Sequence, residues 1–327
     1  MASILILGAG LAGLTAAREL TRLGHTIRLL DKGRRVGGRL ATRRLGTGLA
    51  DHGAQYFSAQ SADFKALMSQ LLAAGVVQEW HLEQSDPASF RHPRYVGTGG
   101  MNSIARFLAE GLAVETEQKA VKLSTTPTGW QVATEAGNTY LADALLLTMP
   151  APQALALCRE SGLALTSDDE TALNTIHYEP CLAVLLALNQ PTNVPAPGGL
   201  KPTPETAIAW LADNQQKGIS PALPTLTLHA SHTYSRAHLD DADLPALIPD
   251  LLASVSACFP PETVTEQHIH RWRYSNATVR HEAPFLAATS QPTTLLFGGD
   301  GFGTGNIEGA FLSGLAMARF FGPAQTG

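Results

Sequence analysis

Cysteine is scarce. The 327 residues hold three, Cys158, Cys181 and Cys258, far apart and odd in number. They form no CxxC pair and no metal-ligand spacing, which argues against a disulfide framework and reads as reduced core thiols. Charged residues make up only 16% and the net charge is −5, so a dedicated binder of nucleic acid or of an anionic membrane is not expected. No apolar run approaches the roughly 20 residues that a bilayer span needs. The longest candidate, residues 141–149, stops at Pro150. No basic segment precedes the first apolar run, so Ile4–Leu7 reads as a strand rather than a signal peptide, and a cytoplasmic location is expected. The 11 histidines are scattered. His268 and His270 alternate along a candidate strand without a third ligand, and no metal site is expected. Aromatic residues are few, at 6%. Neither a repeat nor a low-complexity tract is present.

What the chain does have is apolar mass, 44% hydrophobic residues over a length that suits two domains or one large one. Residues 3–31 read as strand, helix, strand. Residues 33–48 are too rich in Gly and Arg for a regular helix. Helical periodicity marks 61–76, 101–112, a segment from Pro152, and 237–259, the last with a Pro-led start at Leu244-Pro245. Short strands are expected at 114–117, 120–125 and 130–135, and buried ones at 143–148 and 181–189. Further strands are read at 225–231 and 268–274, with loops at 84–100 and 191–204.

Gly8, Gly10 and Gly13 form GxGxxG between the first strand and the first helix. Gly8 permits the tight turn, Gly10 lets backbone approach a pyrophosphate, and Gly13 lets the helix pack on the strand. The helix N-terminus offers free N–H groups to phosphates. Asp31 ends the second strand, 18 residues after Gly13, where its carboxylate can accept the ribose hydroxyls of an adenosine. The alternative, a Gly-rich turn that binds nothing, lacks a reason for the strand, helix and terminal acid to coincide.

Downstream, Lys32-Gly-Arg34-Arg35-Val-Gly37-Gly38-Arg39 places a glycine pair between arginines. That suits a second backbone approach to a diphosphate, with Arg39 as a bidentate partner. A dehydrogenase using only a nicotinamide cofactor has no need of it. Near the other end, Leu295-Leu-Phe-Gly-Gly299-Asp300 leads through Gly301, Gly303 and Gly305 into a helix from about Ile307. A helix N-terminus there can stabilise charge that develops on a reduced flavin ring. Together the two ends read as a clamp for flavin adenine dinucleotide (FAD). The alternative for the second end is a plain terminal helix after a flexible loop. In Asp51-His-Gly53-Ala-Gln55-Tyr56-Phe57, the Gly-Ala beside two aromatic residues suits a strand lying flat against a ring, or else an ordinary edge strand.

GAGLAG, DKGRRVGGRLATRR, DHGAQYF, DALLLTMP, RWRY and GGDGFGTGNIEGAFLSG resemble, in order, the flavin-dependent amine oxidase superfamily and within it the renalase branch. The likeness is strong in the cofactor segments and weaker over 155–290. It implies an α/β fold like that of p-hydroxybenzoate hydroxylase. A discontinuous Rossmann-like FAD domain (1–60, 95–155 and 285–327) would carry an inserted mixed-sheet substrate domain (61–94 and 156–284). It implies non-covalent FAD touched by Ala12, Asp31, Lys32, Arg39, Gln55 and Tyr56, with Val121 at the adenine and Asp300 and Ile307 at the ribityl and flavin end. Gly33 departs from the family, where many members have a second phosphate-binding Arg, and Arg34 or Arg35 would compensate.

The resemblance further implies oxidation of the 2- and 6-dihydro isomers of NAD(P)H to NAD(P)+ by hydride transfer to flavin N5, with O2 taken to H2O2. Hydride transfer needs orientation and exclusion of water more than a protein acid or base. The inserted region offers Tyr178, Trp210, Asp213, Asn214, Lys217, His229 and His232 to hold a nicotinamide. His229 is equally readable as a hydrogen-bonded core histidine. Two competing readings are an oxidase of a small amine, which usually needs an aromatic cage and a lysine, and a non-catalytic FAD-binding redox protein. A nicotinamide-only dehydrogenase is a further alternative.

Overall fold

A computed structural model describes residues 1–82, 88, 92–203, 206–289, 291 and 293–323. Within the loop expected over 84–100, residues 84–87 and 89–91 lie outside the described residues, as does Pro204 at the end of the second loop. Tyr95–Gly97 is not loop but a short strand, β6, paired antiparallel with β5 (Val77–Glu79).

The first sheet has six strands in the order β17-β18-β11-β1-β2-β7. Its centre is β1 (Ser3–Leu7), β11 (Ala144–Leu147) and β18 (Leu295–Gly298), all parallel. Each is an unbroken apolar run, as a strand covered on both faces requires. β2 (Thr26–Leu30) and β7 (Val114–Glu115) extend one side in parallel, while β17 (Phe285–Ala287) closes the other antiparallel. One face is covered by α1 (Leu11–Arg22) and α8 (Asn306–Phe321). The other face meets an antiparallel meander, β8 (Ala120–Thr126), β9 (Gly129–Thr134) and β10 (Thr139–Ala142), whose Trp130 donates to the Thr294 carbonyl. Chain ends some 290 residues apart therefore share one sheet.

The second sheet has the order β13-β14-β15-β12-β16. It consists of β12 (His177–Leu188), β13 (Gly199–Leu200), β14 (Ile208–Asp213), β15 (Thr225–Ala230) and β16 (Val264–Val279). The mixed sheet of the molecule is the six-stranded one. This five-stranded sheet is antiparallel throughout. Leu182, Val184, Leu186, Leu211, Leu226 and Leu228 fill one face against Ile248 and Leu251. The other face turns toward the first sheet through a hairpin of β3 (Thr42–Leu45) and β4 (Gly48–Asp51). That hairpin lies largely within the Arg-rich segment 33–48.

The helices of 61–76, 101–112 and Pro152 onward form as α2 (Ala62–Ala73), α3 (Asn102–Ala109) and α4 (Ala151–Glu160). α2 shares a core with α1 and α8 through Phe64, Leu67, Met68 and Leu71. A further helix, α5 (Ser167–Asn174), starts at Thr166, whose side chain accepts from Asp169 N.

The long helix expected over 237–259 does not form. The segment instead holds α6 (His232–Ala237), a 3-10 turn at Leu244–Leu247, α7 (Ile248–Ala253) and a 3-10 turn at Ser256–Cys258. Pro245 and Pro249 lack the N–H a continuous helix would need, and Asp243 accepts from Ala246 N and restarts the chain there. No helix among the described residues is long and apolar enough to cross a membrane.

Candidate active site

The glycine loop has the geometry its spacing implies. Gly8 has φ +112°, and its N–H donates to Leu30 O at 2.8 Å. A Cβ on Gly13 would lie 2.0 Å from Gly8 O, so strand and helix touch only because neither residue has a side chain there. Gly10 differs: a Cβ would meet nothing within 4 Å, and α1 begins at this residue without a side-chain cap. The first N–H groups of α1, Ala12 among them, have no carbonyl partner within the helix. Gly37 N donates to Ala9 O at 2.8 Å, which brings the Gly37-Gly38 pair beside that same space. Two glycine loops thus frame one cradle.

Asp31 closes its end. One carboxylate oxygen accepts from Ala9 N and the other from Gly33 N, each at 2.7 Å. Glu117 N and Gln118 N then bond to Gly33 O and Asp31 O, bringing β8 alongside. Val121 sits at a bulge of β8, between Ala120 and Lys122, and is 38% exposed. Lys32, Arg34 and Arg35 are exposed, with Arg34 3.6 Å from Glu117.

Arg39 and Asp300, expected on opposite parts of one ligand, are paired with each other. Two hydrogen bonds of 2.6 Å join guanidinium and carboxylate. Arg39 also donates to the carbonyls of Tyr274 and Ser275, at 3.1 and 3.3 Å. One side chain therefore ties the N-terminal loop, the C-terminal loop and β16. Tyr178 stands 5.7 Å from the guanidinium carbon. Burial, then the neighbouring Asp300, raises its phenol pKa, so it stays protonated. Gly301 is required here, since a Cβ would lie 2.5 Å from the Tyr178 hydroxyl.

The second sheet supplies a wall. Register aligns Trp210, His229, Ala183 and His270 in one row across β14, β15, β12 and β16. Cys181 and Trp272 form the next row on the same face. His52, just after β4, stacks on Trp272 at 5.5 Å and meets His270 edge-on at 4.8 Å. Trp272 Nε1 donates to His52 O at 2.7 Å. Burial, then the neighbouring His270 and Arg43, pushes His52 down to about 3. Burial brings His229 down to about 4, and both rings are neutral at pH 7.

Gln55 donates through Nε2 to the carbonyls of Asp51 and Gly53, at 2.7 and 3.1 Å, which fixes its amide. The same nitrogen lies 3.4 Å from His229 Nε2, which takes the acceptor role. Gln55 Oε1 and His52 Nδ1 are buried and have no protein partner. Ile307 is half-buried in the first turn of α8, and that helix starts at Gly305 and Asn306, both at positive φ.

Beneath the wall lies a buried ion pair that sequence reading missed. Lys217 Nζ is 2.8 Å from Asp51 Oδ2, and both side chains are fully buried. Thr42 Oγ1 and Met101 N donate to the other Asp51 oxygen. Burial lowers the Lys217 pKa against the opposing pull of Asp51. Tyr56, Trp80 and Trp210 pack edge to face nearby, at centroid distances of 5.4 to 6.2 Å. His232 does not join the wall. It is exposed at the start of α6, with Nδ1 3.0 Å from Pro180 O. His52, His270 and Trp272 were also unassigned. Their signal was the alternation His268, His270, Trp272 beside the DHG triplet.

Residues 76–319 match the model of the flavin containing amine oxidoreductase family, and residues 6–71 match an NAD(P)-binding Rossmann-like domain. The chain belongs to the flavin-containing amine oxidoreductases. Among curated members, renalase of Mus musculus is 24% identical over 98% of both chains, a full-length likeness to the renalase branch. Among solved structures, a "putative protoporphyrinogen oxidase" from Exiguobacterium sp. 255-15 superposes with TM-score 0.74 at 14% identity, and a redesigned putrescine oxidase with 0.70 at 15%. Each of these covers 98% of both chains and shares the fold. The protein is thus a flavin-dependent oxidoreductase of this superfamily.

Proposed function

We propose that this oxidoreductase holds FAD non-covalently and oxidises dihydronicotinamide dinucleotides of the 2- and 6-dihydro type to NAD(P)+. The described residues suit FAD: an open cradle above Gly10, and two buried polar atoms, Gln55 Oε1 and His52 Nδ1, that lack protein partners. In this reading Gly8, Gly10, Ala12, Gly13 and Gly38 receive the diphosphate. Asp31, Lys32 and Val121 surround the adenosine, and Gln55, Tyr56 and Ile307 flank the ring. The Arg39–Asp300 pair joins the two halves. Segments 1–60, 95–155 and 285–327 then form the cofactor unit, and 61–94 with 156–284 the substrate unit. No cysteine follows Cys258, so a thioether near Gly299 has no source.

Bound FAD supplies a two-electron acceptor, and the balanced reaction is dihydro isomer + O2 + H+ giving NAD(P)+ + H2O2. The residues orient substrate and exclude water, and none need take a proton. The observation that carries this reading is the cluster of neutral imidazoles, His52 stacked on Trp272 and His229 beside Gln55, in which His52 Nδ1 and Gln55 Oε1 are left without protein partners. Neutral rings suit a reaction in which hydride leaves directly. An amine oxidase has less support. Trp80 and Trp210 are buried in a mutual cluster rather than arranged as a cage, and Lys217 is held by Asp51.

The test is anaerobic mixing with the dihydro isomers and, separately, with alkyl and aryl amines, following the visible flavin band. Rapid bleaching by the isomers alone is expected. Bleaching by amines alone would overturn the substrate, and bleaching by neither would favour a non-catalytic redox role.

A further inference from the structure

We infer that Arg43 receives the diphosphate of a dinucleotide substrate and so selects an anionic substrate over a cationic one. This rests on the proposed oxidation of dihydronicotinamides and names the group that would recognise them.

In the β3–β4 hairpin Thr42 faces Asp51 and Arg43 faces Ala50. One pair further on, His52 N bonds to Ala41 O at 3.0 Å. Cross-strand partners share a face and successive residues alternate, so Arg43 and His52 lie diagonally on one face of the hairpin. That face meets the wall, because His52 is stacked on Trp272 and touches His270. Arg43 is exposed and has no carboxylate partner among the described residues. Its charge reaches both His52 and His270, where it adds to burial in disfavouring their protonated forms.

Of the three carboxylates at this wall, two are matched by a full positive charge and the third, Glu266 on the same face of β16, lies 3.1 Å from His268 at the far end of the row. Asp51 is held by Lys217, and Asp300 by Arg39 in a two-point pair. Beside His52 and His270 themselves, a cationic amine would meet neutral imidazoles and an unpaired arginine. A dinucleotide could instead lay its nicotinamide against the rings and extend its diphosphate to Arg43. An unpaired guanidinium fork suits that anion. Arg44 is a built-in control. It is exposed and carries the same charge, but alternation puts it on the opposite face of the hairpin.

The experiment titrates NAD+, NADP+ and nicotinamide riboside (which lacks phosphate) into the FAD-loaded protein and follows the perturbation of the flavin spectrum. Arg43→Gln is expected to raise the Kd of NAD+ and of NADP+ about tenfold, leaving the riboside unchanged. Arg43→Lys should recover part of the loss, and Arg44→Gln should shift each Kd less than about twofold. Flavin content of each variant controls for folding. Equal losses in Arg43→Gln and Arg44→Gln, no loss in either, or a loss confined to NADP+ would overturn the assignment. A wild-type flavin that the dihydro isomers fail to bleach would instead sink the proposed function, whatever Arg43 does.

Discussion

Lys217 and Asp51 are the residues whose removal should tell most about stability. A buried ion pair is weak evidence of net stabilisation, yet breaking it leaves one charge stranded. Lys217→Met is therefore expected to cost about 3–5 kcal/mol by urea denaturation. Asp51→Asn combined with Lys217→Met should recover part of that loss. Full additivity of the two single changes would contradict a direct pair. His52 and His229 set the acid limit. Their folded pKa values, about 3 and about 4, lie below the ordinary 6.5, so below 6.5 the unfolded chain binds more protons. Their contribution is complete above pH 6.5 and is lost as pH falls to about 4 for His229 and about 3 for His52. Thermal unfolding should show Tm falling over that window, and His229→Gln should flatten the fall. A slope unchanged by that substitution would contradict the burial argument. These residues were hard to read in the sequence because the contacts that define them, Lys217 with Asp51 and Trp272 with His52, span 166 and 220 positions. Lys217 has no local pattern that announces a partner at Asp51.

The glycine loop and its helix were readable because their constraint is local. A strand, three glycines at fixed spacing and a helix determine one another within a dozen residues. Gly10 and Gly13 separate its two purposes. Gly13→Ala would drive a methyl to within 2.0 Å of Gly8 O, and Gly314→Ala would do the same at 2.2 Å from Ala12 O, prying α8 from α1. Each is expected to lower stability by about 1–3 kcal/mol, as overpacking does. Gly10→Ala meets nothing and has φ −78°, so the apoprotein should keep its Tm while FAD affinity falls about tenfold or more. A Gly10→Ala protein that holds FAD like wild type would place the diphosphate elsewhere. The segment 237–259 misled because its apolar spacing suits a helix, whereas Pro245, Pro249 and the Asp240–Asp243 run interrupt its backbone bonding. β14 was missed because Trp210 and Asp213 looked like isolated pocket residues rather than one strand of a wall.

The whole molecule joins two sheets through a narrow seam. Thr225 and Thr227 donate to Leu49 O and Asp51 O across it, and Arg39 and Asp300 close it from the other side. The sequence anticipated that both chain ends would meet, since each carries half of a recognisable cofactor pattern. It did not show that Arg39 and Asp300 would grip each other, because each reads alone as a ligand contact. The most direct measurement is the flavin content of the purified protein. The account predicts a yellow protein that releases close to one FAD per chain into the supernatant on denaturation. A colourless protein that takes up no added FAD, or a flavin that stays attached to the denatured chain, would contradict it.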